Sequence, residues 1–253
     1  MKKKFWQFKN EADRSELYLY GDISTESWWG DEVTPKDFKK DLDDCSGPLD
    51  VHINSGGGEV FAGQAIYNML KRYDGGDVTV YIDGLAASIA SVIAMAGDRI
   101  VMPENAMLMI HNVWTYAVGN RDDMRKMADE LEKLDGVIRD VYASRSGKDP
   151  QTFADWMAAE TWFTAAEALE AGLVDEVEEN KKIAASLSGD FAVINGQRVD
   201  VRRYAHAEKL VDMAAEGTDN GGEGQPVQDN DPALDAQRSR FRAMKRRILD
   251  TTT

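Results

Sequence analysis

The sequence holds a single cysteine, Cys45, among 253 residues. One thiol cannot close a disulfide within the chain, and no Cys/His spacing of the zinc-binding kind accompanies it, so no metal staple is expected either. The reducing cytosol is the expected environment. No apolar run reaches the roughly 18 residues that a membrane-crossing helix needs. The basic start (Lys2, Lys3, Lys4) leads into no apolar segment, so a signal peptide is not expected. Positive charge is also in deficit, with 30 Lys and Arg against 45 Asp and Glu and a net charge of −15. Without a broad basic surface, general nucleic-acid binding is excluded. The exception is local: Arg238, Arg240, Arg242, Lys245, Arg246 and Arg247 form a small basic patch near the C-terminus.

Up to about Ala184, apolar runs alternate with turn signals; beyond it they thin out while Gly, Asp, Asn and Gln accumulate. The composition predicts a folded domain over 1–184 and a C-terminal extension over 185–253. Within the extension, 200–216 reads as a helix, 217–231 as an acidic flexible linker and 232–249 as a basic terminal helix.

Within the domain, 16–23 reads as a strand and 35–42 as a short polar helix. Residues 49–54 alternate with period two, stop at Ser55-Gly56-Gly57-Gly58, and give way to a helical pattern over 59–72 with Val60, Ala62, Ile66 and Leu70 apolar. The unit then repeats, with a strand over 78–82, a turn over 84–87 and a small-residue helix over 88–96. Strands over 99–102 and 107–110 follow, the second delivering His111. Alternating strands and helices imply an α/β fold with a mainly parallel sheet. From Asp122 onward, Met124, Met127, Leu131, Leu134, Ile138 and Val141 step by three and four along one long amphipathic helix. Its partner is the parent domain or a second subunit. A short helix over 167–171 and a strand over 173–177 close the domain. Phe5, Trp6 and Phe8 are expected to pack on the body.

Ser88 opens a helix directly after a strand and a glycine-led turn, where unpaired N–H groups and the positive end of the dipole gather. That placement suits an acyl-transfer nucleophile, although a serine at a helix start is more often only a cap. The glycine loop lets backbone N–H groups approach an oxyanion. A phosphate-cradling loop is excluded, because Gln64 stands where lysine is needed and Phe61 breaks the dinucleotide fingerprint. Of three histidines, His206 lies in the extension and His52 in mid-strand, whereas His111 stands at a strand end, where crevices form.

Taken together, Ile53-Asn54-Ser55-Gly56-Gly57-Gly58, Gly84-Leu85-Ala86-Ala87-Ser88, Met109-Ile110-His111, Phe163-Thr164-Ala165 and Gly172-Leu173-Val174-Asp175 resemble the proteolytic subunit of the Clp protease, over about 16–178. The resemblance implies a spiral of β-β-α units shared with crotonases, a protruding handle helix from Asp122, and a homo-oligomer of two stacked rings. It implies that Ser88 is the nucleophile and His111 the general base, that Gly57 and Ile89 supply the oxyanion-hole N–H groups, and that no metal or cofactor takes part. It also implies a polypeptide substrate, paired as a strand with the glycine loop and with 113–119.

Two departures stand out. Gly56 replaces the family's proline, which loosens the glycine loop. Thr161 falls where the family has the aspartate that orients the histidine; its hydroxyl offers an acceptor without a charge, making Thr161 a doubtful third member and slow turnover the expectation. Glu160 and Asp155 are nearby carboxylates. The Glu160-Thr161-Trp162-Phe163 form resembles phage-encoded head maturation proteases, which implies capsid, scaffold or portal precursors as substrates. The site of action would then be the host cytoplasm or the prohead interior, with the C-terminal extension as a docking handle. The rival readings are a catalytically silent ring acting in assembly and a crotonase-type acyl-CoA enzyme. An α/β-hydrolase is disfavoured, since Ala86 and Ala90 flank Ser88 where the nucleophile elbow has glycines.

Overall fold

The computed structural model describes residues 5–10, 13–24, 35–179, 185–188, 191–194 and 197–206. In chain order the first elements are β1 (Trp6–Asn10), β2 (Ser15–Tyr20), α1 (Pro35–Asp43), β3 (Leu49–Ser55), α2 (Val60–Lys71), β4 (Val78–Ala87) and α3 (Ile89–Ala94). There follow β5 (Arg99–Pro103), β6 (Met107–Ile110), α4 (Arg121–Ser146), α5 (Pro150–Ala158), β7 (Thr161–Thr164), α6 (Ala165–Ala171) and β8 (Glu176–Glu178). Strands β2, β3, β4, β5 and β8 lie side by side in parallel; β1 and β7 add antiparallel partners at β2 and β6. The mainly parallel α/β fold read from the sequence is the fold observed.

β4 decides where the chemistry is placed. Its first part is flanked by β3 and β5, while its last residues, Leu85, Ala86 and Ala87, pair in parallel with Met107, Leu108 and Met109 of β6, so 84–87 is not the turn expected from the sequence but the end of the strand. Parallel neighbours end on the same edge of a sheet, so the residues just beyond both strands emerge together. Those residues are Ser88 and His111. Every residue of α3 is buried, and its small side chains let the helix lie close under this edge.

The long helix α4 starts from a capping box, in which the Asn120 side chain accepts from the backbone of Asp122 and Asp123 while Asp123 returns a bond to the Asn120 N–H. It stops at Gly147 in the left-handed conformation. Only Ile138, Tyr142 and Ala143 are buried, all in its C-terminal half, where it meets α3 and α5. Met124 is exposed, so the apolar seam read from the sequence leaves the domain along its N-terminal turns.

Several elements differ from the sequence reading. β1 and α5 were not anticipated; β1 brings Trp6 into the core, edge-on to Phe38, with its Nε1 donating to Asp41 at 2.8 Å. The final strand begins at Glu176 rather than 173, because the Asp175 side chain accepts the Ile100 N–H and turns the chain onto β5 only there. Residues 111–118 form no strand: the Asn112 N–H goes to the Met157 carbonyl and the Val113 N–H to the Asp135 carboxylate, so neither joins a ladder.

Beyond 184 the chain is not simply an appendage. β9 (Ala185–Ser188), β10 (Phe191–Ile194) and β11 (Gln197–Asp200) make a small antiparallel sheet, followed by a 3-10 turn at Val201–Arg203; of the helix expected over 200–216, 207–216 lies outside the described residues. Ala192, Ile194, Val199 and Tyr204 join the main core. The Asn54 Nδ2 donates to the Ile194 carbonyl at 2.7 Å, and Arg203 forms two hydrogen bonds to the Asp22 carboxylate. The sequence reading missed this packing, although Phe191-Ala192-Val193-Ile194 is a continuous apolar run. The acidic linker and the terminal basic helix lie outside the described residues.

Candidate active site

Ser88 sits between β4 and α3 with φ 56° and ψ −131°, one of two described non-glycine residues with positive φ. A side chain in that region costs on the order of 1–3 kcal/mol, so the surroundings must hold it. They do so from both sides. The Ser88 N–H donates to the Met109 carbonyl at 3.0 Å, and the Ser88 carbonyl accepts from the Ser91 N–H at 3.0 Å and the Ser91 hydroxyl at 2.6 Å. The Ser91 oxygen in turn lies 2.7 Å from the Tyr142 hydroxyl. Since the Ser91 proton is used on Ser88, Tyr142 is the donor in that pair. Burial pushes the Tyr142 phenol well above its ordinary range, which keeps the proton in place.

The strained turn aims the Ser88 side chain at His111, and Oγ lies 2.8 Å from Nε2. With the ring proton on Nδ1, Nε2 accepts the serine proton, as nucleophilic attack requires. Burial pushes the imidazole below the usual histidine value, an effect that the nearby Glu160 charge partly opposes. The neutral, basic form is therefore favoured.

Gly57 comes against the other side of Ser88, with φ +88° and no room for a side chain. Ile89 opens α3, where its N–H has no carbonyl one turn earlier to receive it. The Gly57 N–H is turned toward the Ser55 hydroxyl oxygen at 3.1 Å, and that hydroxyl donates to the Gly21 carbonyl at 2.6 Å. All four residues singled out from the sequence, Ser88, His111, Gly57 and Ile89, meet at one point.

Thr161 does not join them. Its hydroxyl donates to the Trp156 carbonyl at 2.7 Å, and among the described residues no hydrogen bond reaches the His111 Nδ1. Asp155 is exposed on α5 and accepts from Gln151. Glu160, at φ 48°, accepts from the Trp162 indole and from the backbone N–H groups of Ala205 and His206 at 2.8 and 2.7 Å. His52 is engaged elsewhere, stacked between Tyr18 and Tyr81 with Nδ1 2.9 Å from Asp83. No group of three or more metal-ligating side chains occurs among the described residues, and none of their helices is long and apolar enough to cross a membrane.

Sequence reasoning missed Ser91, Tyr142 and Tyr204. Tyr204 donates to the Gly56 carbonyl across 148 positions of sequence, meets Trp162 edge-on, and brings its ring centroid to 6.3 Å from that of His111. No motif or spacing announces such a partner.

The Clp protease family model matches residues 35–181. The ATP-dependent Clp protease proteolytic subunit of Ligilactobacillus salivarius is 34% identical over 145 residues, 56% of this chain and 73% of that protein. The same subunit of Porphyromonas gingivalis is 34% identical over 138 residues, covering 53% of this chain and 61% of that protein. Subunit 2 of Tropheryma whipplei is 33% identical over 149 residues, 58% of this chain and 82% of that protein. The segment carrying Tyr204 lies beyond the family match. With more than half of its length matched, and with the parallel sheet that brings its serine and histidine together, the chain belongs to the Clp protease family.

Proposed function

We propose that the protein is a serine-type endopeptidase working through an acyl-enzyme on Ser88. The observation that carries this reading is the 2.8 Å approach of His111 Nε2 to the Ser88 hydroxyl at the start of a buried helix. Ser88 Oγ attacks the scissile carbonyl carbon while its proton passes to His111 Nε2. The oxyanion that forms accepts from the N–H groups of Ile89 and Gly57. The imidazolium gives its proton to the departing amine, and water, deprotonated by His111, then releases the acyl group and restores the serine. Every proton movement runs through one nitrogen. Family membership supports the same chemistry, since the named relatives are proteolytic subunits.

Intact-mass labelling with a fluorophosphonate tests this reading on wild type beside Ser88→Ala and His111→Ala. Labelling that is lost in both variants supports it. An assembled wild-type protein that takes no label favours the silent-ring reading, which draws on Thr161 in the aspartate's place and on the lack, among the described residues, of a carboxylate hydrogen-bonded to His111 Nδ1. As for substrate, the Glu160-Thr161-Trp162-Phe163 form supports head precursors of a phage, and the exposed seam of α4 supports a ring-forming homo-oligomer. Cleavage of a purified capsid or scaffold precursor by wild type but not by Ser88→Ala tests the first. Sedimentation of the intact chain tests the second.

A further inference from the structure

The Gly56 carbonyl and the Gly57 N–H belong to one peptide unit, and this unit carries the part of the glycine loop that lies against Ser88. A planar trans peptide directs its C=O and N–H in opposite directions. Fixing the carbonyl therefore fixes the N–H. In this chain the unit lies between two glycines and is followed by a third, so nothing intrinsic to the backbone stops it from rotating.

What restrains it here is a side chain from outside the family domain. The Tyr204 hydroxyl donates to the Gly56 carbonyl at 2.5 Å in a buried contact. Gly56 and Tyr204 fit as a pair, because a Cβ on Gly56 would stand 2.9 Å from the Tyr204 hydroxyl and 3.1 Å from a Val199 methyl. Burial raises the Tyr204 phenol far above its ordinary range, so it stays a donor. The tyrosine is itself anchored: Arg203 holds Asp22, the Glu160 carboxylate accepts the N–H groups of Ala205 and His206, and Trp162 packs edge-on to the ring. At the other end of the peptide, the Gly57 N–H rests on the Ser55 hydroxyl oxygen, so both ends of the unit are held.

We infer that Tyr204 is a positioning residue for catalysis: by holding the Gly56 carbonyl it keeps the Gly56–Gly57 peptide, and with it the close seat of Gly57 on Ser88, in place. The 191–206 segment is thus a working part of the active site. This inference rests on the Ser88 peptidase reading. It differs from a purely structural role because the loss appears in the step that develops negative charge, not in binding or folding.

The test uses the full chain and a chromogenic peptide ester or peptide, comparing wild type with Tyr204→Phe, Gly56→Ala and the double variant. Tyr204→Phe keeps the ring and removes only the hydroxyl; Gly56→Ala displaces the hydroxyl from the opposite side. The expected result is a fall in kcat of about tenfold in each single variant, with KM within about twofold. The double variant should be no slower than the worse single one, because both changes break the same bond. The acid limb of the pH profile should stay put, since His111 keeps its surroundings. A wild type that labels at Ser88 and turns over, beside a Tyr204→Phe variant of equal or higher kcat, overturns the inference and leaves the peptidase reading standing. A wild type that neither labels nor turns over overturns both. Should Tyr204→Phe fold poorly, Gly56→Ala alone carries the decision by the same kcat criterion.

Discussion

A Cβ placed on Gly57 would lie 2.6 Å from the Cβ of Ser88 and 2.7 Å from the Ala87 carbonyl oxygen. The nucleophile and the glycine loop therefore touch backbone to side chain, at a residue whose φ of +88° already disfavours any side chain. Gly57→Ala should cost more than about 2 kcal/mol of stability and remove most activity. Urea denaturation and the rate of fluorophosphonate labelling report the two losses separately, and near-wild-type values of both would contradict the observed approach.

Burial holds the His111 imidazole below the usual histidine value, and only the neutral ring can take the Ser88 proton. Protonation on acidification therefore switches the base off, and it does so at lower pH than for an ordinary histidine. The acid limb of kcat/KM should fall below about 6.5, the value of an unperturbed imidazole. A limb above that value would show that the charged ring is stabilised instead.

Glu160 is the one charge that raises the His111 value. Removing it by Glu160→Gln should move the acid limb further down in pH. The same change weakens the anchor on the Ala205 and His206 N–H groups, so a lower melting temperature should accompany it. Asp155→Asn is the control, because that exposed carboxylate bonds only to Gln151 and should leave the profile unmoved.

Ser91 and Tyr142 separate two ways of losing one contact. Ser91→Ala strands the fully buried Tyr142 hydroxyl and takes a donor from the Ser88 carbonyl, at a cost of about 1–3 kcal/mol. Tyr142→Phe leaves the Ser91 hydroxyl on Ser88 and should cost only about 0.5–1.5 kcal/mol. Chemical denaturation of the two variants checks the order, and Ser91→Ala should also slow acylation, since Ser88 keeps its strained turn partly through that bond.

Thr161→Val tests the doubtful third member. The Thr161 hydroxyl serves the Trp156 carbonyl, so its loss should cost about 1 kcal/mol and leave the acid limb in place. A shift of that limb would mean that Thr161 reaches His111 in the working enzyme.

Much of this molecule was legible in its residues. The period-two run over 49–54 gave β3 with its glycine loop, and the β-branched run over 78–82 gave the first half of β4, whereas 84–87, read as a turn, continues that strand to Ala87 because it pairs with β6. The three-and-four spacing from Met124 gave α4. Gly57 and Ile89 came from the family resemblance, whereas Ser88 and His111 were found from local patterns, since a helix start or a strand end leaves a mark in sequence. Their meeting follows from β4 and β6 lying parallel and in register, a relationship set by long-range pairing.

Tertiary structure alone decided the rest. Thr161 and Glu160 are adjacent in sequence, yet one faces the Trp156 carbonyl and the other the backbone of Ala205 and His206, because the chain turns through a positive φ at Glu160 just before β7 begins at Thr161. Residues 191–206 hold one short apolar run, Phe191 to Ile194, ahead of a mostly polar stretch. They fold onto the glycine loop because Ile194, Val199 and Tyr204 reach a core built by strands more than a hundred residues earlier, and because Tyr204 finds in Gly56 a carbonyl with no side chain in the way. A sequence records what each residue prefers locally; a bond such as Tyr204 to Gly56 exists only once the sheet has brought the two together.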